Sequence, residues 1–145
     1  MKTSVTKKSD IERKWYIIDA EGVILGKVAV RAADLLRGKN KVNFSPSVDC
    51  GDHVIIINAS KIAVTGGKEE KKKYYRHSWY PGGLKTFTLN QMMAKDSRKV
   101  IELAVKGMLP KNKLADEMIK KMKVFKDEKH DHEAQQPEVI KFSNS

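Results

Sequence analysis

Residues 71–83, KKKYYRHSWYPGG, set Lys71, Lys72, Lys73 and Arg76 among Tyr74, Tyr75, His77, Trp79 and Tyr80. Cations neutralise phosphates, while flat rings or a guanidinium stack on unpaired bases, so this interleaving has the chemistry of nucleic-acid contact. Gly82 and Gly83 carry no Cβ and let a sugar-phosphate chain approach the backbone closely. A plain strand with Tyr75 and Trp79 in the core and lysines outside accounts for the same letters. The stretch VKGMLPKNK, residues 105–113, raises a similar choice. Pro110 lacks an N–H and stops a helix, and Lys106, Lys111 and Lys113 surround the resulting corner. Gly107 permits close approach, and the N–H groups after Asn112 open a new helix, a place that suits phosphate. An ordinary turn with solvated lysines is the competing account.

Other constellations lead nowhere catalytic. Cys50, His53, His130 and His132 are metal-ligand types, and with them a metal-dependent nuclease or RNA-processing factor is the alternative reading. They lack the paired spacing of a zinc site. Cys50 beside Asp52 and His53 is not a triad, because neighbours in sequence rarely converge as one. GVILGKV, residues 22–28, has two glycines but fails the phosphate-loop spacing and offers Val28 where a hydroxyl must bind magnesium. Asp49 and Asp52 sit in a glycine turn, where Asp is common for conformational reasons. No catalytic residue, metal or cofactor is expected.

Charge names the class of partner. The 145 residues carry 29 Lys and Arg against 18 Asp and Glu, a formal net charge of +11. Concentrated positive charge repels itself in the free protein and implies an anionic partner. The excess lies in three groups: 27–41, 68–76 and 106–126. After Lys126 the sign reverses, with Asp127, Glu128, Asp131, Glu133 and Glu138. The basic surface is therefore expected on the folded body rather than on a tail. A single cysteine excludes an internal disulfide and suits a reducing compartment. No apolar run reaches membrane-spanning length, and the N-terminus has no apolar core of a secretory signal.

The elements that position these groups read as one α/β domain. Residues 1–13 form a flexible N-terminal segment. KWYIIDA (14–20) and HVIIINA (53–59) are buried strands, the second apolar on both faces, as in parallel sheets covered on both sides. Leu25, Val28, Ala29, Ala32, Leu35 and Leu36 share one helical face, and Gly38 caps that helix. Residues 71–80 and 84–88 flank the Pro81-Gly82-Gly83 turn. Thr88 and Gln91 have capping-box spacing. Asp96 or Ser97 opens the next helix, which ends at Leu109-Pro110, and Asn112 opens a third. Residues 123–126 are a last strand. Residues 127–145 form an extended C-terminal segment beside the RNA-binding domain of residues 14–126.

Five stretches carry a resemblance: WYIIDAEGVILGKVA, VDCGDHVIIINASKIAVTG, YYRHSWYPGG, AVKGMLPKNKLADEM and HDHEAQQPEV. In this order the chain resembles the bacterial-type L-thirteen family of large ribosomal subunit proteins, from about Lys14 to Val139. The resemblance implies a three-layer α/β/α fold around a mainly parallel four-stranded sheet. It implies a non-enzymatic cytoplasmic protein of the large subunit that binds large-subunit ribosomal RNA, lies against neighbouring ribosomal proteins and supports early assembly. No membrane or small-molecule substrate is implied. Ala115 stands where the family usually has glycine, and Lys27 where it usually has arginine. The residues assigned to RNA contact are Arg37, Lys39, Lys41, Lys68, Lys71, Lys73, Tyr74, Arg76, His77, Trp79, Gly82, Gly83, Lys106, Gly107, Lys111, Lys113 and Lys121.

Overall fold

The computed structural model describes residues 11–39, 41, 48–64 and 72–140. Strand β1 (Trp15–Asp19) is followed by helix α1 (Leu25–Arg37) and strand β2 (His53–Ile57). A hairpin of β3 (Lys73–His77) and β4 (Leu84–Thr88) runs into α2 (Leu89–Met108). Helix α3 (Lys113–Lys120), β5 (Met122–Val124) and β6 (Glu138–Ile140) complete the chain. Four strands form one parallel sheet in the order β5-β2-β1-β6. Ile18 lies opposite Ile56 on one side and Ile140 on the other.

The alternation of strand side chains divides the core in two. Ile18, Val54 and Ile56 face α1, α2 and α3 through Val28, Leu35, Leu36, Ile101, Val105 and Met118. Ile17, Ile55 and Ile57 face the other way, beside Trp15 and Phe125. Connection handedness accounts for the division. From β1 through β2 to β5 the chain steps in one direction, so right-handed connections lay every helix on one face. The return to β6, beyond β1, then crosses the opposite face. That layer is the connection 125–137 with a single 3₁₀ turn at Glu133–Gln135 rather than a full helix. Its His132 ring stacks on Trp15 at 5.1 Å.

Helix α1 forms where the apolar spacing predicts it. Ala29, Ala32 and Ala33 are small enough to bring its axis close to the sheet, and Leu35 and Leu36 are fully buried. Each buried leucine contributes about 1.5–3 kcal/mol. Gly38 ends the helix at φ +76°, the left-handed conformation that glycine adopts without a Cβ penalty. Thr88 and Gln91 form the complete capping box: Thr88 Oγ1 accepts from Gln91 N at 3.3 Å, and Gln91 Oε1 accepts from Thr88 N at 2.9 Å. Helix α2 breaks at Asp96, whose backbone leaves the helical region and whose carboxylate accepts from Arg98 N at 3.1 Å. Asn112 Oδ1 caps α3 through Ala115 N at 3.0 Å.

Within the C-terminal segment, residues 138–140 form the outer strand of the sheet, paired in parallel with Tyr16, Ile17 and Ile18. Residues 1–10, 40, 42–47, 65–71 and 141–145 lie outside the described residues.

Candidate nucleic-acid interface

The hairpin is a separate two-stranded ribbon rooted in the core at one end. Leu89, buried at the start of α2, donates its N–H to Lys72 O at 3.1 Å. Tyr74 packs against the main core. Burial raises the pKa of its phenol, and the hydroxyl has no hydrogen-bond partner among the described residues. Lys72 Nζ lies 5.5 Å from the Tyr74 ring centroid, a cation–π contact. Tyr74 is thus a root of the ribbon, and its neighbour Tyr75 is the ring that faces outward, at 66% exposure. Lys73 and Arg76 are exposed.

Beyond His77, whose side chain lies outside the described residues, the ribbon turns over six residues. Tyr80, Pro81, Gly82 and Gly83 make a tight turn closed by Gly83 N to Tyr80 O at 2.9 Å. Proline at the second position and Gly82 at φ +74° are the requirements of a type II turn. A Cβ on Gly83 would lie 1.9 Å from Ser78 Oγ, which would have to rotate away, and 3.0 Å from Tyr80 O. Trp79 and Tyr80 project from this tip at 90% and 76% exposure.

The corner between α2 and α3 is the second basic site. Lys106, Gly107, Lys111 and Lys113 are exposed around an open groove of about 720 Å³. Leu103, Leu109, Pro110 and Ile119 supply its apolar lining, and Asp116 is its one acid. Leu103 and Ile119 were not among the sequence candidates, although Leu103 stands one helical turn before Lys106. Arg37 ends α1 and is half-buried, and Lys39 follows Gly38 at the surface. Lys68 and Lys71 lie outside the described residues.

Two expected RNA ligands turn inward instead. Lys121 Nζ reaches Asp49 Oδ1 at 2.5 Å and Leu36 O at 3.3 Å, with both charged side chains about nine-tenths buried. Burial lowers its pKa, against the raising effect of its bond and charge interaction with Asp49. Lys41 Nζ pairs with Asp52 Oδ1 at 2.8 Å and donates to Glu12 O at 2.7 Å. Arg13 completes this group, donating to Gly51 O at 2.6 Å and Asp49 O at 2.9 Å. The assembly closes the C-terminus of α1, whose last carbonyls have no partner within the helix. Asp52 N takes Leu35 O at 2.9 Å, and Lys121 takes Leu36 O. Gly51 presses so closely on Leu36 that a Cβ would overlap its carbonyl. Asp49 and Asp52 are therefore buried counter-ions of structural cations. Lys41 and Lys121 are engaged in these ion pairs.

The histidines take up ring stacking. His53 lies flat on Trp15, with centroids 4.3 Å apart and planes 9° from parallel. Its pKa is lowered, first by burial and then by the charges of Lys121 and Arg13. His130 and His132 pack near Phe125. Among the described residues no three metal-ligating side chains converge. No helix among them is long and apolar enough to cross a membrane.

Comparison with known proteins gives a consistent result. The family model described as Ribosomal protein L13 matches residues 13–131. The large ribosomal subunit protein uL13 of Maridesulfovibrio salexigens is 52% identical over 142 residues, covering 98% of this chain and all of that protein. The uL13 proteins of Desulfitobacterium hafniense (strain DSM 10664 / DCB-2) and Vibrio atlanticus are 55% and 51% identical, each over at least 96% of this chain and 97% of the relative. The chain belongs to the ribosomal protein L13 family.

Proposed function

We propose that this protein is a structural constituent of the large ribosomal subunit in the cytoplasmic ribosome. It binds large-subunit ribosomal RNA, supports early assembly and catalyses nothing. Family membership over nearly the whole chain carries the reading. The charge agrees with it: Lys73, Arg76 and Lys85 on the hairpin and Lys106, Lys111 and Lys113 at the α2–α3 corner are exposed, and RNA phosphates held there would displace condensed counterions. Its remaining partners are neighbouring ribosomal proteins. Binding to about six phosphates would give a log-affinity slope of roughly −4 to −5 against log salt. Replacing Arg76, Lys106 and Lys111 together by Ala should leave the circular dichroism spectrum intact and make that slope shallower by about 2 to 3. An unchanged slope and affinity would remove these sites from the interface.

A further inference from the structure

The hairpin tip holds a tryptophan in the solvent. Trp79 is 90% exposed and has φ +68°. The left-handed region is a genuine outlier for a bulky residue and costs on the order of 1 kcal/mol or more. The surrounding turn enforces it. Ser78 N and Gly83 O are joined at 3.2 Å, and the Tyr80–Gly83 turn is set by Pro81 and Gly82. Strain held by an over-determined surrounding is a reason to look for function. The result is a large flat ring presented on a pre-formed loop, so little conformational freedom remains to be lost on binding.

The strands behind the tip add a second, independent observation. The register places Arg76 directly opposite Lys85. Such partners have Cβ atoms about 4.5–5.5 Å apart, and like charges placed so destabilise a ribbon. Both side chains are exposed. Residues 72–88 contain no acid, and among the described residues no carboxylate pairs with either cation. An anion between them relieves the repulsion. Lys85 was not among the sequence candidates.

We infer that the β3–β4 hairpin captures an unpaired nucleotide, with a phosphate held between Arg76 and Lys85 and the base stacked on Trp79. This rests on the RNA-binding reading and narrows it to a single-stranded or extruded nucleotide at this one place. Duplex RNA buries its base faces and offers Trp79 nothing to stack on.

The test uses the full chain carrying Trp15→Phe, which leaves Trp79 as the only tryptophan. Its fluorescence is titrated with a six-residue adenosine oligoribonucleotide and with a blunt RNA duplex of the same length. Quenching by the single strand and not by the duplex is expected. In parallel, Trp79→Ala should weaken binding to large-subunit ribosomal RNA by about ten-fold without changing the salt slope, since stacking releases no counterions. Lys85→Ala should make the slope shallower by about 0.7–0.9. Far-ultraviolet circular dichroism confirms that each variant is folded. Equal quenching by both probes, or ribosomal RNA binding indifferent to Trp79→Ala and Lys85→Ala, overturns the inference. If the Arg76, Lys106 and Lys111 triple variant still loses affinity in that case, the RNA-binding reading stands without it. Failure of the unmodified chain to bind ribosomal RNA removes both.

Discussion

Replacing Lys121 by Met separates a structural lysine from an RNA ligand. Lys121 and Asp49 are each about nine-tenths buried and 2.5 Å apart. Removing one partner of a buried pair typically costs about 3–5 kcal/mol, because the other charge is left uncompensated in a poorly solvated place. Asp49 keeps two partners on the same oxygen, Gly51 N at 3.2 Å and Arg13 Nη1 at 3.7 Å, which puts the cost at the lower end, about 3 kcal/mol. Leu36 O at the end of α1 also loses its donor. For a chain of this size the midpoint of thermal unfolding should fall by about 6–12 °C. Asp49→Asn should be similarly costly, and the double variant should be more stable than the two single losses add up to, by at least about 1 kcal/mol. Urea unfolding followed by circular dichroism measures all three. Below the unfolding transition, Lys121→Met should retain the salt slope of RNA binding. A stability change under about 0.5 kcal/mol together with a slope shallower by about 0.7–0.9 would refute the reasoning and return Lys121 to the RNA surface.

Gly51→Ala sets a Cβ 1.6 Å from the Leu36 carbonyl oxygen and 2.2 Å from its carbon, both backbone atoms that cannot step aside. Separating loop 48–52 from α1 should cost about 4 kcal/mol, read as a fall in the urea midpoint. His53 gives a pH signature. Its folded pKa lies below its ordinary 6.5, so its contribution to stability is complete above pH 6.5 and is lost as pH falls through the folded value, where the unfolded chain binds the proton first. His53→Phe keeps a ring against Trp15 but cannot protonate, so stability measured by urea unfolding should decline less below pH 6.5 than in the unmodified protein.

Local signals were legible where one short segment contains the whole cause. The caps at Gly38, Thr88 and Asn112, the break at Asp96 and the apolar face of α1 each depend on residues a turn or two apart. Strand β6 was not legible. It has three residues, follows Pro137, leaves Val139 exposed and draws its register from β1 rather than from an apolar pattern of its own. The inward turn of Lys41 and Lys121 was invisible for a different reason: Asp49 and Lys121 stand 72 positions apart, and only the fold brings them together. Parity decided the tyrosines. Tyr74 and Tyr75 are adjacent, so one must face in, and the sequence contains no register to say which. Lys85 had a recoverable signal. Folding the ribbon about Pro81-Gly82-Gly83 puts it opposite Arg76.

Sedimentation of this protein with ribosomal particles tests the central claim most directly. Cell lysate is fractionated on sucrose gradients at moderate and high salt, and each fraction is probed for the chain. The account predicts that it travels with the large subunit in stoichiometric amount and stays there through the salt wash. Recovery in light fractions alone would contradict it.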